Sequence, residues 1–158
     1  MTEPNRVPDL LRRRRLLLAL LVVGARAVGR AGLAHAQSDA GVRVIVHPSN
    51  PQAATSRDFV ADAFLKKATR WPHGEPILAV DLHSDSPIRR RFSEAILKRS
   101  IGAVRSYWQQ RIFSGRDVPP PELDTEESVV GYVAKYPGAV GYVSTSTKLA
   151  GVKELSIK

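Results

Sequence analysis

The segment Val80–Phe92 concentrates the residues of this chain that could bind a small anion. It reads VDLHSDSPIRRRF, in which Ser86 and Pro87 are typical of the first positions of a helix. The beginning of a helix presents N–H groups without partners and a partial positive charge, and both attract anions. The predicted ligands of an oxyanion are His83, Ser86, Ile88 and Arg89.

A simpler interpretation competes with this anion site. Pro87 removes one N–H donor, and Ile88 prevents the close approach of an anion to the backbone that glycine would permit. Ser86 and Pro87 could therefore only cap a helix, whose buried face is predicted at Phe92, Ile96 and Leu97. In that interpretation Arg89–Arg91 form a solvated face, together with Glu94 and Lys98.

The same segment offers a weak pattern for metal binding and none for catalysis. Asp81, His83 and Asp85 alternate, but no second group of ligands follows them, and isolated matches of this kind are often fortuitous. The chain has no cysteine, no G-x-S-x-G and no H-E-x-x-H, which are the patterns of common hydrolases and metalloenzymes. We therefore predict no catalytic residues, no metal and no cofactor.

Residues 1–36 are predicted to be a secretory signal peptide. Arg12–Arg15 precede the apolar run Leu16–Ala25, and Ala34 and Ala36 mark a cleavage site, as in signal peptides. The run is shorter than the roughly 20 residues that a membrane-spanning helix needs. Arg14–Leu18 also resembles a twin-arginine signal, and an uncleaved anchor on the membrane surface is the alternative. We expect export to the periplasm.

The net charge does not indicate a nucleic-acid partner. The whole chain carries +9, but residues 37–158 contain 17 basic and 13 acidic residues and so carry +4. That is an ordinary charge for a soluble domain, and no basic stripe interleaved with aromatic residues is visible. Without disulfides, a single domain over residues 37–158 must be stabilised by its core alone, and it is long enough to bury one.

Strand and helix patterns alternate along this domain. Val42–Val46 and Ile77–Val80 have the β-branched and apolar character of strands, and Ala139–Ser144 and the final VKELSIK are predicted strands as well. Helices are predicted after two capping-box spacings, Thr55 with Asp58 and Asp124 with Glu127, and over Ile101–Phe113. This order predicts an α/β domain with a mainly parallel central sheet flanked by helices.

Two phrases of the sequence resemble the second lobe of the phosphate-binding proteins of ABC transporters, which have the type II periplasmic binding protein fold. The first is FVADAFLKKATRWPHGEPILAVDLHSDSP, in which Phe64 and Trp71 match the family's helix-to-strand phrase. The second is PGAVGYV, Pro137–Val143. The resemblance implies an oxyanion ligand, a membrane ABC transporter as partner and a turn that holds phosphate through a Gly-Ser-Gly-Thr run.

This chain departs from the family's pattern at that turn. Asp85 matches the family's acidic residue, but Ser86, Pro87, Ile88 and Arg89 replace the Gly-Ser-Gly-Thr run. The family also has two lobes that close on the ligand, whereas residues 37–158 suffice for one. A homodimer could supply the second half of a cleft. A non-catalytic module that binds a cell-envelope protein, for example through the loop Ser114–Asp124, is the alternative function.

Overall fold

A computed structural model of the chain describes residues 41–158. The predicted signal peptide, residues 1–36, lies outside the described residues. The elements follow in the order β1 (Val42–Val46), β2 (Ala54–Thr55), α1 (Arg57–Phe64), β3 (Leu78–Ala79), β4 (Asp81–Leu82), α2 (Pro87–Phe92), a π-helical segment (Ser93–Leu97), α3 (Ile101–Phe113), β5 (Glu122–Leu123), α4 (Glu126–Lys135), β6 (Ala139–Ser144), β7 (Lys153–Glu154) and β8 (Ser156–Ile157). Each predicted helix and strand is present in the predicted order.

The central sheet has the strand order β3-β6-β1-β7. The α/β class is confirmed, but the prediction of a mainly parallel sheet is wrong. β1 lies antiparallel to both β6 and β7, and only β3 pairs with β6 in parallel. The prediction failed because the alternation of strands and helices, on which it depended, does not fix the direction in which β1 runs beside β6 and β7. The pairs β2 with β8 and β4 with β5 are short and parallel.

Helices cover both faces of the sheet, as neighbouring residues of β6 show. Successive side chains of a strand point to opposite faces. A side chain at Gly141 would point toward Val129 and Val133 of α4. Tyr142 points the other way, and its ring stacks on Phe92 of α2 with centroids 3.8 Å apart. Tyr142 is therefore in the hydrophobic core.

Local signals set the helix ends. Ser86 is the N-cap of α2 and Pro87 is its first residue, as predicted. α1 and α4 instead begin one residue later than the capping-box spacings suggested, with Ser56 and Thr125 as N-caps. Within residues 41–158, every helix is too short or too polar to span a bilayer.

Candidate anion-binding site

The predicted anion site lies where β4 ends and α2 begins. The amide N–H of His83 donates to the carbonyl of Leu123, which extends the pairing of β4 with β5 by one residue. The chain then turns, and the N–H of Ser86 donates to the carbonyl of His83 at 2.9 Å. His83 and Ser86 thus lie in one tight turn after β4, and Ile88 follows as the second residue of α2.

The Ser86 hydroxyl is used in part by the helix itself. Its oxygen accepts the N–H of Arg89 at 3.4 Å, which satisfies one donor of the first turn. The hydroxyl proton is still free to be donated, because a serine offers one donor in addition to its acceptor sites. The N–H of Ile88, as the second residue of the helix, has no acceptor within the helix. The hydroxyl of Ser86 and the N–H of Ile88 are therefore the two donors of the predicted site that the helix does not use.

His83 and Asp85 stand at the outer side of the turn. The His83 Nδ1 lies 3.6 Å from a carboxylate oxygen of Asp85, and both side chains are exposed. The His83 imidazole can donate a hydrogen bond to an anion, whereas the Asp85 carboxylate repels one. The two side chains therefore have opposite effects on an anion at this turn.

Arg89 does not point toward this turn. The prediction of a solvated arginine face is correct for Arg90 and Arg91, which are exposed, but wrong for Arg89, which is 5% exposed. One guanidinium nitrogen donates to the carbonyl of Leu82 at 3.1 Å and forms an ion pair with Asp81. The other terminal nitrogen lies 3.9 Å from a carboxylate oxygen of Glu122. The guanidinium is therefore engaged inside the domain.

Asp81 and Tyr142 form a buried polar cluster with Arg89, and the exposed Glu122 lies at its edge. Asp81 is 3% exposed, and one of its oxygens accepts the Tyr142 hydroxyl and the N–H of Leu82. Burial raises the pKa of the Tyr142 phenol well above its ordinary value, although the charge of Arg89 acts in the opposite direction. Burial also lowers the pKa of Arg89, while Glu122 counteracts that effect. Tyr142 thus stays a protonated donor beside an ion pair.

The charges of this cluster decide how much attraction Arg89 can offer to a ligand. Asp81 and Glu122 place two negative charges against the one positive charge of the guanidinium. Opposite charges at such short distances largely cancel each other's field farther away. Arg89 consequently orients Leu82 and the start of the turn but offers little positive potential to an anion at Ser86.

Sequence reasoning missed Asp81, Glu122 and Tyr142 as a unit, although one signal was available. Arg89 lies three residues before Phe92, and residues three apart share one face of a helix. Phe92 was a predicted core residue, so Arg89 had to point inward as well. A buried arginine requires a carboxylate partner, and Asp81 comes just after an apolar strand.

The alternating Asp81, His83 and Asp85 do not converge. Asp81 is buried beside Arg89, whereas His83 and Asp85 are exposed in the turn. Among residues 41–158, no three His, Cys, Asp or Glu side chains are gathered closely enough to hold a metal ion.

Solved structures with this fold are receptors of phosphate transport. An ABC-type phosphate transport receptor from Vibrio cholerae matches with a TM-score of 0.57 and 17% identity, over 74% of this chain and 46% of that one. A phosphate ABC transporter substrate-binding protein with bound phosphate from Clostridium perfringens matches with a TM-score of 0.59 and 21% identity, over 74% of this chain and 44% of that one. PstS from Borrelia burgdorferi matches with a TM-score of 0.58 and 10% identity, over 75% of this chain and 47% of that one. This chain has the fold of one half of a phosphate-transport receptor.

The half-receptor fold rests on structure and not on sequence matches. No protein-family model matches the sequence, and no curated protein does. The chain spans less than half the length of the solved receptors that it resembles. The resemblance to one lobe of the phosphate-binding proteins is therefore confirmed at the level of the fold.

Proposed function

We propose that this chain is an exported, non-catalytic domain that binds phosphate or a related oxyanion for a membrane ABC transporter. The observation that supports this proposal is the half-receptor fold with a turn at the carboxyl end of β4, where α2 begins. The anion would contact the hydroxyl of Ser86, the N–H of Ile88 and the imidazole of His83. Arg89 would hold the turn in place through the carbonyl of Leu82.

A single half offers only one wall of a cleft. Ligand pockets usually surround most of the ligand's surface, whereas the proposed contacts come from one short turn. Tight binding would therefore require a second wall, which another copy of this chain or another polypeptide would supply. A dimer that forms only with phosphate is the expected behaviour if the second wall is a second copy.

A second candidate function is an interaction module that has lost its ligand. The engagement of Arg89 with Asp81 favours this candidate, since the strongest cation near the turn is neutralised. The exposed carboxylate of Asp85 beside His83 favours it too. In this case the turn would only cap α2, and the domain would act through contact with an envelope protein.

Titration of the purified chain with phosphate, and then with sulfate, separates the two candidates. The test variant is Ser86→Ala, which removes the proposed hydroxyl contact together with a helix cap. The matched control is Ser100→Ala, because Ser100 caps α3 in the same way by accepting the N–H of Ala103 at 3.2 Å. Each loses about 1 kcal/mol of cap energy, so their stabilities remain comparable.

Saturable phosphate binding that is weakened by Ser86→Ala and preserved in Ser100→Ala would support the oxyanion function. Flat titrations of a folded protein with both anions would refute it and leave the interaction module. The elution volume of the chain, measured with and without phosphate, is an independent test for a ligand-dependent dimer. A monomer that is indifferent to phosphate excludes the ligand-dependent dimer.

A further inference from the structure

The outward side of α3 differs from the rest of the described surface in its charge. Between Ala95 and Arg116 the sequence contains no acidic residue and five basic ones. Only Arg111 of these five has an ion-pair partner among residues 41–158, namely Asp117 at 3.7 Å. Lys98, Arg99, Arg105 and Arg116 have no carboxylate of the described chain within 4.0 Å. The surface therefore carries uncompensated positive charge.

The same helix exposes apolar area that the domain does not cover. α3 buries Val104 and Trp108 on its inner side. At its carboxyl end, however, Phe113 is 91% exposed and Ile112 is 50% exposed. A phenylalanine exposed to this extent lacks the stabilisation that burial would give. Exposed aromatic residues beside arginines are typical of surfaces that bind another protein.

A shallow groove joins these features. It has a volume of about 520 Å³ and lies along the outer side of α3 between Arg99 and Phe113. Its lining includes Gln110 and two small residues, Ala103 and Ser106, which are called its floor below. The Arg99 guanidinium lies over the Tyr107 ring, 5.5 Å from its centroid, which holds the cation at the edge of the groove.

We propose that this groove binds an acidic peptide segment of a partner protein. A carboxylate of the segment would pair with Arg99, and an apolar side chain would cover Phe113 above the small residues of the floor. The groove accommodates a few side chains, and the hydroxyl of Ser106 and the amide of Gln110 offer hydrogen bonds to a polypeptide backbone. This inference does not depend on whether the turn at Ser86 binds phosphate.

Two other occupants agree less well with these residues. A second copy packed symmetrically on α3 would bring Arg99, Arg105 and their equivalents together, and like charges across an interface cost energy. An anionic membrane would attract the same cations, but binding to a membrane does not require a concave floor with hydrogen-bonding side chains. Experiment can distinguish both occupants from a peptide.

A display library of random dodecapeptides, selected on the purified full chain, tests the proposal even while the partner is unidentified. The selected peptides are expected to carry a net negative charge and to contain at least one large apolar residue. A synthetic copy of the strongest peptide should bind with about tenfold lower affinity to Arg99→Glu and to Phe113→Ala, as expected for residues at the centre of an interface. Lys148→Glu, an exposed charge reversal in the loop after β6, should leave the affinity unchanged. Binding should weaken as salt is added.

Three results would overturn the proposal. One is a selection that yields no peptides, or neutral and basic peptides, or peptides that bind Arg99→Glu and Lys148→Glu equally well. Another is co-sedimentation with phosphatidylglycerol vesicles that is lost in Phe113→Ala while no peptide binds, which would assign the surface to a membrane. The third is a concentration-dependent dimer in sedimentation that Phe113→Ala abolishes, which would assign it to a second copy. All three variants change exposed or half-buried surface positions, and matching thermal unfolding curves would show that they fold.

Discussion

Replacing Arg89 by methionine should destabilise the domain strongly. Methionine fills most of the same volume but leaves the Asp81 carboxylate buried without its cation. Removing one partner of a buried ion pair typically costs about 3 to 5 kcal/mol. The free energy of unfolding of a whole domain is only about 5 to 15 kcal/mol. The substitution should therefore remove a large part of the total stability.

The double variant Asp81→Asn/Arg89→Met distinguishes a lost ion pair from lost packing. Asparagine can still accept the hydrogen bonds from Tyr142 and Leu82 that Asp81 accepts. With both charges removed, no uncompensated buried charge is left, and such replacements are often close to neutral. The double variant should therefore be more stable than Arg89→Met alone. With the double variant near neutral and Arg89→Met less stable by about 3 to 5 kcal/mol, the coupling between the two positions should be about 3 kcal/mol or more.

Urea unfolding of the four proteins in the cycle measures this coupling. The coupling should change little with salt, because buried pairs are weakly screened. An Arg89→Met variant that is as stable as the original chain would refute the buried-pair reasoning. It would mean instead that the arginine is available for a ligand, and loss of phosphate binding at unchanged stability would be the signature of that role.

Two further predictions concern the packing and the acid stability of the domain. Gly141→Ala should destabilise the domain by about 1 to 3 kcal/mol, because the new Cβ would come within 2.6 Å of Val129. Gly131→Ala should instead stabilise the domain by about 0.4 to 1 kcal/mol, because its Cβ would meet no atom within 4 Å. Urea unfolding of both variants measures these two changes in stability. Burial alone would raise the pKa of Glu126, but hydrogen bonds from Thr147 and Ser144 outweigh it and lower the pKa. Its contribution to stability is therefore present above the ordinary carboxyl pKa and is lost as the pH falls through the lowered value. Glu126→Gln should flatten the fall of melting temperature as the pH drops below the ordinary carboxyl pKa, whereas Glu127→Gln, at an exposed position, should not. Equal slopes for Glu126→Gln and the original chain would contradict the assignment.

The local elements of this fold could be predicted because their signals are local. α3 has the predicted bounds, Ile101–Phe113, and Ser86 with Pro87 starts α2 as expected. The starts of α1 and α4 were displaced by one residue because Thr55 and Ser56, like Asp124 and Thr125, are adjacent residues that can each cap a helix. In each case the second residue of the pair is the N-cap.

The direction of the strands could not be read from the same signals. The apolar run Ile77–Val80 correctly indicated a parallel neighbour, since β3 lies parallel to β6. For β1, burial from Val44 to Val46 shows that both faces are covered, which is common in parallel sheets. Here helices on both faces produce the same pattern around a strand whose neighbours are antiparallel. Burial reports what covers a strand and not which strand lies beside it.

The start of α2 at Ser86 and Pro87 could be predicted, but the contacts of the Arg89 side chain could not. The spacing of Ser86, Ile88 and Arg89 relative to the helix start says where their backbone N–H groups lie. It does not say where a long side chain goes, because that depends on the charges other elements bring near it. Glu122 and Tyr142 come from segments 33 and 53 residues farther along the chain than Arg89. Since a buried guanidinium is stable only beside carboxylates, the same contacts that secure the core withdraw this cation from the turn. An anion bound at Ser86 would then depend on the hydrogen-bond donors of the turn and on a second wall. Dependence on a partner is therefore the property of this chain that should be measured.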